Sequence, residues 1–204
     1  FEVLSQSKIK GSSLKFESAN IYKTKTAALK FDQKQIRSYN VTQLSELDLA
    51  NVLKSGYKMT FGTEPTLSML ASGWAQVILE SGRPVKLPNN NVGNIKATKQ
   101  WIESGNPFFM KSTEEFTSSG KHFIEKDAKW RAYESPEEGA AGYWKLLKDR
   151  YGATLEYFDV GDPVSAGVSL GKSGYFTANI EKYSTAVGKL YTEFMKKYAQ
   201  KFSS

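Results

Sequence analysis

The segment from Thr63 to Ser81 constrains this fold more than any other. Leu67, Leu70, Trp74, Val77 and Ile78 recur at three- and four-residue spacing, which sets them along one side of an α-helix and demands a second layer to cover them. Thr63 is the expected N-cap, with Glu64 and Pro65 in the first turn. Met69, Gly73, Gln76 and Glu80 recur at spacings of four, three and four, so they form a neighbouring face at the core boundary. Glu80 follows Val77, Ile78 and Leu79 and closes the helix, where partial burial and the negative end of the helix dipole both raise a carboxyl pKa. The nearly apolar run Met69 to Leu79 is interrupted by Ser72 and Gln76 and is shorter than the roughly 20 residues that cross a bilayer, so no membrane span is expected.

Around this helix the chain divides into unlike regions. Residues 1 to 40 are rich in Lys, Ser and Thr, with short alternations such as Leu14 and Phe16 and no helical period, and read as an appended extended arm or short strands. Val41 to Ser55 is expected to be helical, with Leu44, Leu47, Leu49, Val52 and Leu53 inward and Gly56 as its stop. After the Pro- and Asn-rich loop RPVKLPNNN, residues 94 to 133 switch to short aromatic and β-branched runs broken by Gly105-Asn106-Pro107 and Ser118-Ser119-Gly120, which predicts a small β lobe. Its main hairpin pairs FFMKSTEEF with KHFIEKDAKWRAY and brings Glu114 and Glu115 near the tip, where only one of the two can face a cleft.

Helical signals then return. Ser135-Pro136-Glu137-Glu138 is a capping box in which Glu138 is expected to bond back to the amide of Ser135, a structural duty that sets it aside as a catalytic candidate. Tyr143, Leu146, Leu147 and Tyr151 supply the buried face of that helix, and Asp162-Pro163 starts a shorter one ending around Gly171 to Gly174. From Asn179 to Lys201 a last helix carries Tyr183, Val187, Leu190, Tyr191, Phe194 and Tyr198 on one stripe. The expected organisation is an α+β, mainly α chain, with an N-terminal extension holding one helix over 1–60, a main domain over 61–204, and no internal repeat.

Composition narrows the chemistry. With 204 residues, 40% hydrophobic and 24% charged, the chain is expected to fold as a globular protein. The absence of cysteine excludes disulfides, thiolate metal sites and a cysteine nucleophile. A single histidine, His122, excludes multi-histidine metal sites and would have to serve any Ser-His-Asp triad; it reads instead as a hairpin surface residue. Asp159 and Asp162 lack the glycine and further ligands of a calcium loop, and no phosphate-binding loop or dinucleotide fingerprint occurs, so neither metal nor cofactor is expected. The net charge of +7 favours a polyanionic partner such as nucleic acid, anionic lipid or an acidic cell wall. The aromatics of the last helix fall at core spacing rather than on a stacking platform, which argues against nucleic acid. A first residue Phe1 rather than Met is read as either a removed leader or a trimmed start, and export, periplasmic or secreted, is the expectation taken from it; a monomer is expected.

The stretches WAQVILESG, NNVGNIKAT, STEEF, KWRAYES and SGYFTANIEKY follow one another in an order that resembles the bacterial peptidoglycan glucosaminidases and muramidases of glycoside hydrolase family 73, over about residues 60 to 195. The resemblance implies a lysozyme-like helical lobe facing a β-hairpin lobe across a cleft, and peptidoglycan glycan strands as the partner. It makes Glu80 the catalytic acid, Glu115 the second carboxylate and Tyr175 a tyrosine beside the scissile bond, with Gln76, Arg83, Asn91, Glu114 and Tyr133 as substrate-binding residues. Hydrolysis of a β-1,4 glycosidic bond by a protonated glutamate is the expected activity, since that reaction needs an acid to protonate the leaving oxygen. The alternative is a non-catalytic wall-binding or structural protein that retains the fold. Three departures from the family pattern stand out: Arg83-Pro84 in place of Trp-Gly, Gly93-Asn94 in place of Phe-Gly, and a longer turn before Tyr183. They lead to an expectation of reshaped sugar subsites and of a glycan lacking some N-acetyl groups, whose ammonium would pair with Glu114 or Glu115.

Overall fold

A computed structural model describes residues 33–116, 122–176 and 178–203; of Glu115, Phe116 and His122 only the backbone belongs to it. The extended arm expected around Leu14 and Phe16, and the Ser118-Ser119-Gly120 turn, lie outside the described residues. The described residues hold seven α-helices, a short 3-10 turn at Gln33–Gln35 and three two-stranded antiparallel ladders, a mainly helical α+β fold as expected.

The segment read as one helix from Val41 to Ser55 is two elements. Val41–Leu44 is strand β1, paired with strand β2, Val85–Pro88, and helix α1 runs Glu46–Phe61. Leu44 and Leu47 fit a helical stripe equally well, but Ser45 accepts the amide of Asp48 and caps the helix after the strand. Gly56 is internal to α1 rather than its stop. Here α1 meets helix α4, Pro136–Arg150, so closely that a Cβ on Gly56 would lie 2.5 Å from that of Ala140. The stop is Gly62, at φ 76 in the left-handed region that glycine enters without strain.

Helix α2, Leu67–Ser81, is capped by Thr66 rather than by Thr63. Thr66 Oγ1 accepts the amide of Met69 at 3.1 Å and donates to Asp159 Oδ1 at 3.0 Å, and that second, tertiary bond separates the two threonines. Every residue of α2 from Met69 to Ile78 is buried, because α1, α5 (Gly152–Asp159) and α7 (Ile180–Phe202) pack around it. Its expected stripe is core, and so is the opposite face. Gly73 lets the six-membered ring of Trp144 lie against the α2 backbone, and the indole N–H of Trp144 donates to the carbonyl of Leu53 at 2.9 Å, tying α4 to α1 and α2. The helix expected within residues 1–60 thus contributes Leu49, Ala50, Val52 and Leu53 to the same core.

Helix α4 starts where the capping box predicts. Ser135 Oγ accepts the amide of Glu138 at 3.2 Å, but the Glu138 carboxylate accepts the amide of Glu134 at 3.2 Å, one residue before the expected partner. Helix α5 is an addition to the sequence reading: its eight residues are too few for a clear period. Asp162 caps α6, Pro163–Lys172, and Asn179 caps α7, as their sequences indicate.

The β region is a hairpin in two registers. Strands β3, Phe108–Met110, and β6, Lys129–Arg131, pair from Phe108↔Arg131 to Met110↔Lys129; strands β4, Thr113–Phe116, and β5, His122–Glu125, pair from Thr113↔Glu125 to Phe116↔His122. The return strand holds one more residue between the two ladders, a bulge that bends the hairpin. Strand β2 falls in the stretch expected to be loop, and residues 99–103, within the expected β lobe, form instead the short helix α3, Lys99–Glu103. Between β2 and α3, Asn89 and Asn90 adopt positive φ, and the buried Asn91 accepts the amide of Ile95 at 2.9 Å and donates to its carbonyl at 3.0 Å. The PNNN sequence is therefore a built turn that holds residues 91–95 at the edge of the helical core.

Candidate active site

Glu80 sits in the last turn of α2, half-buried, where the stripe of core residues meets a cleft of about 940 Å³. The cleft runs between the helical core and the hairpin: Leu79 and Glu80 of α2, Tyr151, Tyr175 and Tyr183 line one side, and Ile95, Phe109, Thr113 and Trp130 line the other. Burial pushes the Glu80 carboxyl above the ordinary carboxylate range, and a hydrogen bond from the Tyr183 hydroxyl to Oε1, 2.9 Å long, partly opposes that rise by favouring the ionised form.

Tyrosines surround this carboxyl. Burial, first, and the nearness of Glu80, second, push the hydroxyls of Tyr175 and Tyr183 far above the usual phenol range, so both stay neutral donors. Tyr143, buried and likewise raised, donates to Gln76 Oε1 at 2.5 Å one turn before Glu80. Phe176 stacks on Tyr183 at 3.7 Å between ring centroids, and Tyr151 meets Tyr175 edge-on at 5.2 Å. The Tyr175 hydroxyl is buried and has no hydrogen-bond partner among the described residues. Such an orphan donor at the wall of a cleft is a group held ready for a ligand atom or water.

Gly93 admits this arrangement. At φ 80, a Cβ there would lie 2.8 Å from the Tyr143 ring and 3.4 Å from the Tyr175 hydroxyl. The Gly93-Asn94 departure thus stands at the cleft itself, where both residues form part of the lining.

The other candidate residues divide. Gln76 is fully buried and holds Tyr143 rather than facing the cleft. Asn91 braces its own loop and is 1% exposed. Arg83 turns away from the cleft. Its guanidinium pairs with Glu46 at 2.7 Å and Glu193 at 2.8 Å and lies 5.8 Å over the Trp74 ring, joining the start of α1 to α7. Arg83 in place of tryptophan is therefore a clasp between helices, and nothing about the sugar subsites follows from it. Tyr133 also points elsewhere: its hydroxyl packs against Gly142 of α4, its ring meets Trp101 edge-on at 5.7 Å, and it lines a separate depression beside Lys145 and Lys148. Glu114 is exposed on β4 and is not part of the cleft lining, while Glu115 pairs with Phe123 through its backbone and its side chain lies outside the described residues. His122 is placed on β5 by its backbone alone.

Tyr143 and Tyr183 are expected only on core stripes, and their contacts with Gln76 and Glu80 emerge from the packing. A signal was present, since a tyrosine on an otherwise apolar stripe must find a partner for its hydroxyl. Asp159, weighed as a metal ligand, instead accepts the Thr66 hydroxyl. No helix among the described residues is long and apolar enough to cross a membrane.

No protein-family model and no curated protein sequence matches this chain. Among solved structures it is similar to a C-terminally truncated glycoside hydrolase domain from Salmonella typhimurium FlgJ, at 23% identity over 74% of this chain and 99% of that one, with a TM-score of 0.51. The glycoside hydrolase domain from the same protein aligns over 78% of this chain and 94% of that one, at 24% identity and a TM-score of 0.48. The first likeness shows a shared fold: helices around a central one, with a hairpin region beside them.

Proposed function

We propose that this protein is a peptidoglycan glycoside hydrolase in which Glu80 protonates the leaving oxygen of a β-1,4 glycosidic bond. The observation that carries this reading is the Glu80 carboxyl, lifted in pKa by burial, at the wall of a cleft large enough for sugar rings and next to the unpartnered hydroxyl of Tyr175. The fold shared with a glycoside hydrolase domain supports it at the level of architecture.

Tyr183 donates to Oε1, so the acidic proton resides on Oε2, the oxygen left to face substrate. Proton transfer from Oε2 to the glycosidic oxygen accompanies breakage of the bond from that oxygen to the anomeric carbon, and positive charge develops on the sugar left behind. Glu115 is proposed as the carboxylate that stabilises this cation or positions water, and Tyr175 as the donor that orients the sugar. The Glu80 carboxylate that remains after the proton is given up is stabilised by the Tyr183 hydroxyl, whose hydrogen bond strengthens when its acceptor becomes charged.

Purified cell wall incubated with the protein is expected to release muropeptides, and their mass and reducing-end sugar assign the bond that is cut. A folded protein that sediments with the wall and releases nothing from any wall supports the non-catalytic binding reading instead. A second measurement addresses Tyr183. Activity requires protonated Glu80, so it falls as pH rises through the Glu80 pKa; Tyr183→Phe removes the bond that lowers that pKa. The alkaline limb of the kcat/KM profile is expected to move to higher pH, with kcat lowered several-fold, on the order of one hydrogen bond to a charged group. A limb that stays in place or moves to lower pH removes Tyr183 from this role.

A further inference from the structure

We infer that Arg150 and Lys182 form an anion subsite on the helical wall of the cleft, which takes a carboxylate of the glycan strand and disfavours a de-N-acetylated, cationic glycan. This rests on the reading of the cleft as a glycan-binding site. Among the described residues lining it, Glu80 is the only carboxylate, against Lys96, Lys111, Arg131, Arg150 and Lys182. These cations are not equivalent. Lys96 is paired with Glu125 at 2.8 Å, Lys111 lies 5.2 Å over the Tyr39 ring, and Arg131 lies 4.4 Å over Trp101. Arg150 and Lys182 are exposed on the helical wall and neither has a carboxylate partner among the described residues; the Arg150 guanidinium lies 5.8 Å over the ring of Tyr151, which itself packs on Tyr175.

Their positions are informative in different ways. Arg150 closes α4, where a cation complements the helix dipole and its presence needs no ligand to explain it. Lys182 is in the first turn of α7, where the dipole is positive and a cation opposes the helix. Local helix energetics therefore do not account for Lys182, whereas the cleft does: its chain neighbour Tyr183 holds Glu80, and Arg150 is followed by Tyr151, which packs on Tyr175. A sugar resting beside Tyr175 with its glycosidic oxygen at Glu80 would present its carboxylate-bearing substituents to this wall. An ammonium in the same place would meet like charge. The charge of the cleft thus opposes the expectation, drawn from Glu114 and Glu115, of a glucosamine-rich target.

The test uses binding to purified peptidoglycan freed of phosphate polymers, either native or with its carboxylates amidated by carbodiimide and ammonia. The protein carries Glu80→Gln, so binding is read without cleavage and the result stands apart from whether any bond is cut. Amidation is expected to weaken binding about tenfold, the scale of two exposed charge pairs, and added salt is expected to weaken binding to native wall and leave binding to amidated wall unchanged. Adding Arg150→Gln and Lys182→Gln should produce the same loss on native wall and none on amidated wall. Equal binding of native and amidated wall by the parent protein overturns the proposal, as does a folded double variant that binds native wall as tightly as the parent. Amidation also removes the general attraction between a chain of net charge +7 and an acidic wall, so the assignment to these two residues rests on the variants, and the single changes Arg150→Gln and Lys182→Gln, each expected to show part of the loss on native wall, stand in if the double variant folds poorly. A third arm uses chemically de-N-acetylated wall: weaker binding than to native wall supports the subsite, and tighter binding refutes it.

Discussion

Replacing Glu80 by Gln is expected to lower kcat for wall hydrolysis by about 10²- to 10⁴-fold, the range for loss of a general acid, equivalent to roughly 3 to 5.5 kcal/mol of barrier. Glutamine preserves the shape and the acceptor for Tyr183 but carries no transferable proton, so binding to the wall should be nearly unchanged. Release of reducing ends, measured with both proteins at equal concentration, checks this; equal rates would remove Glu80 from the mechanism. The same variant has a signature in stability. Burial raises the folded-state pKa of Glu80 above its unfolded value, so the stability the neutral carboxyl provides is fully present below the unfolded pKa, about 4.3, and is lost as pH rises through the folded pKa. Gln has no such loss. The variant should therefore melt above the parent at pH 8, with the difference closing near pH 4. A carboxyl whose pKa is raised by burial beside a cleft, at the cost of folding stability as it ionises, is the pattern expected of a group kept for chemistry.

Trp144→Ala should produce the largest loss of stability. Trp144 is fully buried, meets Tyr57, Tyr143 and Phe158 edge-on at centroid distances of 5.2, 5.0 and 6.5 Å, and donates to Leu53. Its removal opens a cavity at the junction of α1, α2 and α4, and Gly73 offers no side chain to fill it. A loss of about 3–5 kcal/mol follows, which for a chain of this size lowers the melting temperature by roughly 6–20 °C. Thermal melts followed by circular dichroism measure it; a shift of only a degree or two would mean that the surrounding helices collapse into the space. Because Tyr143 packs on Trp144 and holds Gln76, the variant should also loosen the support of Glu80, and its kcat should fall by more than the unfolded fraction accounts for.

The elements legible in the sequence were those whose signals are local. The stripe of α2, the Ser135 capping box, the Asp162 and Asn179 caps and the long period of α7 depend on neighbours three or four residues away. The hairpin was legible because its strands adjoin in sequence. The strand β1 was not: its partner β2 lies about 40 residues on, and before that partner is known Leu44 fits a helix as well as a strand. Likewise Thr63 and Thr66 offer equal hydroxyls, and only the bond to Asp159, 93 residues away, distinguishes them.

At the site the division is the same. The sequence alone determined that a carboxylate would close an apolar helix, since both the helix and the place of Glu80 on its boundary face follow from spacing within one segment. The ordered motifs also identified Tyr175, which the fold brings to the same cleft. Tertiary structure alone decided what surrounds that carboxylate. The bond from Tyr183 spans 103 residues, Gln76 faces Tyr143 rather than the cleft, and Arg83 and Tyr133 are turned to other faces. These outcomes depend on which helices pack together and at what angle, a sum over contacts between distant segments that no local spacing encodes. The pKa of Glu80 belongs with them, because desolvation is a property of the packed surroundings rather than of the residue itself.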